Sequence, residues 1–576
     1  MSTFKSAFFA VLLISLSMTS LSAAAQQTAP QSPADPAASS ATEVAGTATT
    51  MDDVVNRAIL REHALMDFLK SRNPLVETYL QDLKKDDLLG ETPKSDHYFL
   101  GRLDMGEAVD RRDYLSTGKS MEKNLLGGVT KLFKVQYSPT GFSWMIFVDR
   151  QDFDRNHYDF KYVQREFLGD IRCLVFDVSP KKDAGKGRFL GRIWIEDQNY
   201  NIVRLNGTYA PRPKGSSYFF HMDSWRLNLV PGYWLPAYIY SEEGDFSYGT
   251  KSKINFKAQT RIWGYNLKNE AKEDELTQLR VDSVKDDSAS AQDASPLEAR
   301  REWQQQADDN VVARLEQAGL LAPEGDIDKI LQTVVNNLII TNNIELPQPV
   351  RTRLMLTSPL ETFSVGNTIV VSRGLIDVLP DEASLAIVLS HELAHIVLGH
   401  NIGGKYAFSD RMLFSDEATY RNFGFRHSPE EDAAADAKAI ELLKNSPYAQ
   451  KMDTGRLFLK QLAERAPSLG ALLTSRLGDS FVDEKGNMVR MVALTNSGPA
   501  LDIKKLDQIA ALPLGGRVKV NPWNDQAELE KSAPVAITTA RDKMPFEVAP
   551  FFPHLSRLNS TDTAGSTTAA ANTSSH

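Results

Sequence analysis

The chain has 576 residues and a formal charge of −9, with 42% of its residues hydrophobic. That length exceeds one ordinary core and points to three or four folded units, while the acidic balance argues against a nucleic-acid partner. The single cysteine, Cys173, has no partner for an internal disulfide and lies too far downstream to be a lipidation site.

In chain order, Lys5, the apolar run from Phe8 to Ile14 with Leu16 beyond it, and Ala23-Ala24-Ala25 have the form of a secretory signal covering residues 1–25. Its apolar core is too short to span a bilayer, and no later stretch reaches the roughly 18 uninterrupted apolar residues of a membrane helix. The expectation is an exported protein without a transmembrane span, periplasmic if retained by a bacterial envelope and secreted if not. Residues 26–50, rich in Ala, Ser, Thr, Pro and Gln, read as a disordered lead. Residues 51–94 read as a helical segment, with helix from Met51 to about Lys84.

Residues 95–282 read as antiparallel β. Trp144-Met145-Ile146-Phe147-Val148, Cys173 to Val178, Gly191 to Ile195 and Ile202 to Leu205 are strand-like, and Asp197-Gln198-Asn199 is the turn joining the last two. Trp225, Trp234, Tyr238 and Tyr240 extend the pattern. A polar linker at 283–300 precedes a helical region at 301–465. A helix from Leu457 to Leu477 leads into a C-terminal subdomain at 466–557, which has strands at Arg517–Val520 and Val535–Thr538, and 558–576 is a low-complexity tail.

The chemistry concentrates in His391-Glu392-Leu393-Ala394-His395. Two histidines four apart on a helix share a face and can bind one zinc ion, and a glutamate after the first leans toward the open coordination position, where it can take a proton from bound water. Asp381 after Pro380 can cap such a helix, and Leu385, Val388, Leu389, Ile396 and Val397 give it an apolar body as far as about His400. A third ligand is expected in His427-Ser428-Pro429-Glu430-Glu431-Asp432-Ala433-Ala434-Ala435-Asp436. Ser428 with Glu431 is a capping box and Pro429 suits the first helical position, so Glu431 is occupied with the backbone. Asp432 and Asp436 stand one turn apart, so that one can bind zinc while the other orients a ligating histidine; Glu431 is the fallback ligand. His400 lies about 140° around the helix from His395 and reads as a C-terminal residue favoured by the helix dipole. His427 could donate to a developing oxyanion or be plain loop. Tyr420, Arg426 and Arg476 are weaker candidates for the same role.

These residues, together with Thr362-Phe363-Ser364-Val365-Gly366-Asn367 and the apolar run through Leu375, resemble the HtpX-like and CAAX-prenyl-protease-like zinc metallopeptidases, peptidase family M48, over about 327–447. In that family the third ligand is usually a glutamate four residues before the aspartate that here is Asp436, and this chain has Asp432 there. The resemblance implies His391, His395 and Asp432 as ligands of one zinc ion per chain, Glu392 as base and Asp436 in a supporting catalytic role. The strand order upstream, with Gly191-Arg192-Ile193-Trp194-Ile195 and Gly232-Tyr233-Trp234-Leu235-Pro236, resembles periplasmic lipoprotein-carrier domains, which implies a hydrophobic or lipid ligand for the β domain.

The expected fold is multidomain α+β: an antiparallel β domain, then a mainly helical zincin domain with a small edge sheet. Thr368 to Val371 is the strand expected at that edge, where an extended substrate can add. The expected function is zinc-dependent endopeptidase action on unfolded or unassembled envelope proteins. The competing expectation is a periplasmic carrier or chaperone-like binding protein whose zinc site is structural or silent; Glu392 discriminates, because a structural site needs no base.

Overall fold

The computed structural model of the protein describes residues 48–87, 90–106, 109–117, 139–210, 220–248, 252–267, 296–400, 415–483, 485–500, 518–521, 526–529 and 548–558. The expected signal, the lead as far as 47, the linker as far as 295, the strand at Val535–Thr538 and the tail beyond 558 lie outside them.

Thr50 caps α1 (Met51–Leu69), its hydroxyl accepting from the Asp53 N–H at 3.1 Å, and the stripe Val54, Val55, Ala58, Ile59, Leu65, Met66 and Leu69 is buried. The helix stops well short of Lys84, which corrects the reading of 51–94 as helical. Pro74 drives Asn73 out of the helical region, and strand β1 (Leu75–Asp86) follows. Its first seven residues are all buried. A central strand covered on both faces lacks the apolar-polar alternation that marks a strand in sequence.

Next come β2 (Gly90–Asp104), β3 (Asp110–Thr117), a short helix α2 (Pro139–Trp144), then β4 (Tyr158–Leu168), β5 (Ile171–Pro180), β6 (Arg188–Glu196), β7 (Ile202–Ala210), β8 (His221–Val230), β9 (Tyr233–Tyr248) and β10 (Ser252–Trp263). They form one antiparallel sheet in the order β3-β2-β1-β10-β9-β8-β7-β6-β5-β4. Trp144–Val148 is not a strand but the end of α2 and the turn after it. Met145, Ile146, Phe147 and Val148 are all buried, so their apolar run reflects a core loop rather than a pleat. The β6–β7 hairpin forms as read, and the Glu196 carboxylate holds its turn by accepting from the backbone N–H groups of Gln198, Asn199 and Asn201, each at 3.0 Å.

The two faces of this sheet carry different cargo. Direct cross-strand neighbours Trp194, Arg204, Trp225, Tyr238, Arg261 and Glu77 form a row on one face. Arg204 is sandwiched in it, 4.4 Å from the Trp194 ring centre and 4.3 Å from that of Trp225. On the other face lies α1, tied by a bidentate pair in which Arg226 donates to both oxygens of Glu62 at 2.6 and 2.7 Å. Cys173 is fully buried on β5, and burial, reinforced by Glu196 and Asp197, pushes its thiol up to about 12.

The second half opens with α3 (Pro296–Gln317) and α4 (Asp326–Thr341), then β11 (Arg351–Met355), β12 (Thr362–Val365) and β13 (Thr368–Ser372). Their order is β11-β13-β12, so Thr368–Val371 is the central strand and β12 is at the edge, which corrects the expected substrate edge. The sequence hid β11 because Arg351 and Arg353 break its apolar pattern; Arg353 is buried against Glu316 at 2.7 Å. After it come α5 (Arg373–Val378), α6 (Glu382–Leu398), α7 (Asp416–Asn422), α8 (Pro429–Lys444), α9 (Met452–Arg465), α10 (Gly470–Leu473), α11 (Val492–Asn496) and a hairpin of β14 (Val518–Asn521) with β15 (Gln526–Leu529). The helix expected from Leu457 to Leu477 is two helices, interrupted around Pro467, whose missing N–H cannot continue the ladder.

The sheet and the helical half share buried polar joints. Glu77 on β1 accepts from the Ser358 N–H and hydroxyl and from Arg373, at 2.6, 2.7 and 2.6 Å. Asp96 on β2 accepts from the N–H groups of Ala471 and Leu472, both at 2.8 Å, and burial raises its carboxyl to about 6 against their pull.

Candidate active site

The site is built where α6 meets the start of α8. Asp381 caps α6 by accepting from the Ser384 N–H at 2.8 Å, and Gly399 ends it in the left-handed region at φ 72, where a glycine carries no steric penalty. The helix is buried from Ala383 to His395, so His391, Glu392 and His395 have no solvent-exposed surface. Ser428 and Glu431 form the reciprocal capping box of α8, at 2.9 and 3.2 Å. Glu431 therefore points back to the backbone while Asp432 faces α6.

Three donor atoms converge there. His391 Nε2 and His395 Nε2 are 3.2 Å apart, and Asp432 Oδ1 lies 3.4 Å from the first and 3.3 Å from the second. Ligands of one tetrahedral zinc at roughly 2.0–2.1 Å stand about 3.3–3.4 Å from one another, so this donor set fits a single zinc ion. The charge balance agrees. Among the described residues, Glu392, Asp432, Asp436 and Asp479 crowd this region against the guanidinium of Arg490, an excess of buried and half-buried negative charge that a divalent cation would offset. A wider group of His395, His427, Asp432 and Asp479 lies within 4.8 Å. Asp479 is committed there to His427, accepting from its N–H at 3.0 Å and lying 2.8 Å from its Nδ1, which makes the tighter trio the better cradle.

Each ligating ring has a partner behind it. Asp436 Oδ1 is 2.9 Å from His391 Nδ1, and His400 Nδ1 is 3.0 Å from His395 Nδ1. Such contacts set the ring orientation and hold the metal-facing nitrogen in place. His400 is thus off the ligand face, as its helical angle requires, yet still touches the site.

Electrostatics separate the groups. Burial and Arg490 work to lower His391, but Asp432 and Asp436 outweigh them and raise it. Burial keeps His395 below its ordinary value. Asp432 is held well below the usual carboxylate range, since contact with both histidines overrules its burial. Glu392 is lowered too: burial alone would raise it, and Arg490 with the two histidines reverses that.

Two partners of Glu392 were not foreseen. Arg490 and the Thr362 hydroxyl both donate to its Oε1, while Oε2 is buried with no hydrogen-bond partner among the described residues. Arg490 comes from a segment without periodicity just before α11, and nothing in the sequence marks it. Thr362 opens the edge strand β12. His427 stacks on His395 with ring centres 3.7 Å apart, and its Nε2 has no partner among the described residues. The weaker candidates brace loops instead: Arg426 donates to the carbonyls of Ser475 and Gly478, Arg476 to that of Phe423, and Tyr420 is buried beside Tyr114.

This is a helix-borne metallopeptidase arrangement, and comparison with known proteins points the same way. Residues 327–452 match the model of peptidase family M48, so the chain carries a metallopeptidase domain. No curated protein matches the chain. Among solved structures, a DUF1329 family protein from Desulfovibrio piger ATCC 29098 aligns with 38% of this chain and 93% of its own, at 10% identity and a TM-score of 0.18, a likeness too distant to carry an argument.

Proposed function

We propose that the protein is an exported zinc-dependent endopeptidase acting on unfolded or unassembled polypeptides of the cell envelope. The observation that carries the metal assignment is the trio of His391, His395 and Asp432 donor atoms at 3.2–3.4 Å. Zinc held by them would acidify a bound water and polarise the scissile carbonyl. Glu392 receives the water's proton on Oε2 and returns it to the leaving amine, while Arg490 and Thr362 hold Oε1 so that the free oxygen keeps its place. Asp436 and His400 keep the two imidazoles aimed. His427 is oriented by Asp479, which raises its affinity for a proton against burial, and its Nε2, without a partner among the described residues, is suited to donate to oxygen charge that develops on the substrate.

Export is supported by the signal-like start from Lys5 to Ala25. Among the described residues no helix is long and apolar enough to cross a membrane. The hydrophobic or lipid ligand expected for the β domain finds no support: α1 packs on one face of its sheet, and on the other Trp194, Trp225 and Tyr238 belong to the protein's own core. The carrier reading is weaker because a structural or silent zinc site has no use for a base such as Glu392 with one carboxylate oxygen left without a partner among the described residues.

The test is hydrolysis of a carboxymethylated, unfolded polypeptide by purified protein, with and without a chelator. Turnover that stops on chelation and returns with zinc is the expected result. Cleavage that persists after zinc is removed to below stoichiometric traces would rule the proposal out.

A further inference from the structure

The row on the sheet face has an occupant that is part of the chain itself. Residues Val548–Leu558 run over it in no helix or strand. Phe552 packs edge-on against Trp225 with ring centres 6.1 Å apart, and Phe551 against Tyr238 at 5.7 Å. Arg204, already between two tryptophans, lies 5.8 Å from the Phe552 ring. Val548, Pro553 and Leu555 are buried and Phe551 is half-buried, whereas Phe552 is 60% exposed, so the segment is anchored at three points with one aromatic ring largely open to solvent between them. At Gly169, φ 63, an added Cβ would overlap the Leu555 backbone, so the turn between β4 and β5 is shaped to let a chain pass close.

The way the sheet holds this segment is that of a peptide receptor. Its backbone is read by side-chain amides and one main-chain group: Gln81 accepts from the Val548 N–H at 2.8 Å, Asn228 from the Leu558 N–H at 2.9 Å, and the Asp170 N–H donates to the Leu555 carbonyl at 2.8 Å. These contacts ask nothing of the bound side chains, while the aromatic row and the three buried anchors do. Glu196 adds an ion pair to Arg557 at 2.6 Å. Meanwhile the indole N–H groups of Trp225 and Trp234, both buried in the same core, have no acceptor among the described residues. The present occupant leaves binding capacity unused.

We infer that this sheet face, centred on Trp194, Arg204, Trp225 and Tyr238, is a second polypeptide-binding site that takes extended segments bearing adjacent aromatic residues, with Val548–Leu558 as its tethered resident. The occupant is a stretch of unfolded polypeptide, the substrate class of the proposed peptidase, and in that respect the inference rests on the proposed function. Adjacent aromatics are buried in folded proteins and exposed in unfolded ones, so a face that selects them would select for the loss of structure. Trading the resident for a substrate segment keeps the face covered when no substrate is present, which avoids a standing exposed aromatic patch.

The test uses full-length protein carrying Glu392→Gln, so that binding is read without cleavage and failure of the peptidase proposal leaves the result interpretable. The probe is a fluorescein-labelled peptide with the sequence of Val548–Leu558. It should bind weakly to this protein and at least tenfold more tightly once Phe551→Ser and Leu555→Asp are added to loosen the resident. A peptide with serine in place of both phenylalanines should bind at least tenfold more weakly, and carboxymethylated unfolded polypeptide should compete. In the unaltered protein, hydrogen exchange at the Val548 and Leu558 amides should be much faster than in β8. A loosened variant that melts as before but takes up no peptide overturns the inference. So does a loosened variant that fails to fold, or strap amides that exchange only with global unfolding, since either makes the segment a fixed part of the core.

Discussion

Two of the fully buried arginine–glutamate pairs among the described residues, Arg226 with Glu62 and Arg490 with Glu392, are built differently. Arg226 engages both oxygens of Glu62 with its two terminal nitrogens, which also donate to the carbonyls of Ile146 and Ile202, while its Nε–H has no partner among the described residues. Arg490 engages one oxygen of Glu392 and leaves the other without a partner. Burying a charged pair is expensive and is best offset when all lone pairs are used. The first pair follows that rule at its carboxylate, both oxygens of which are engaged, and pins α1 to the sheet. The second departs from it at the one atom where a base would need to be free.

That contrast can be broken by substitution. The largest effect is expected from Glu392→Gln, which keeps the size of the side chain and removes its basicity. Peptide turnover should fall by about 10²–10⁴-fold, with zinc content near one per chain by elemental analysis. The matching change in the other pair, Glu62→Gln, leaves Arg226 buried without its counter-charge. It should cost about 3–5 kcal/mol of stability in denaturant unfolding, while the folded fraction retains its zinc and turnover. Equal loss of activity in both variants, at a temperature where both are folded, would mean the pairs are not distinct in kind.

Smaller changes sharpen the picture at the metal. Asp436→Asn removes the charge behind His391 and should weaken zinc binding by about 10–100-fold in a competition titration. The neighbouring acids on α8 separate most finely. Asp432→Ala should abolish zinc binding and Asp432→Glu retain it, whereas Glu431→Ala should lower stability by only about 1 kcal/mol through loss of the cap partner. Zinc lost from the Glu431 variant instead would shift the ligand assignment by one residue.

What could be read in the sequence was what local rules govern. The helix bearing His391 and His395 is announced by Asp381 and its apolar body, and that of Asp432 by Ser428, Pro429 and Glu431. The β6–β7 hairpin follows from its turn. Elements whose identity comes from tertiary surroundings were hidden. Strand β1 is covered on both faces and β11 carries two arginines neutralised from elsewhere, so neither shows a strand's period. Met145–Val148 is apolar because it is buried, not because it is pleated. Arg490 and Thr362 reach Glu392 from segments far apart in the chain, and only packing brings them together. The course of Val548–Leu558 over the sheet is equally non-local.

Cys173 has a practical consequence. Its thiol is sealed inside the sheet and held far from ionisation, so at neutral pH it is a poor nucleophile toward maleimides and iodoacetamides. A cysteine introduced at a surface position such as Phe552 would then be the reactive one in the native protein, with no need to remove the natural residue first. Dyes or spin labels could therefore report the position of the strap in otherwise unaltered molecules, and the unreacted Cys173 would serve as an internal gauge of folding, becoming modifiable only when the sheet opens.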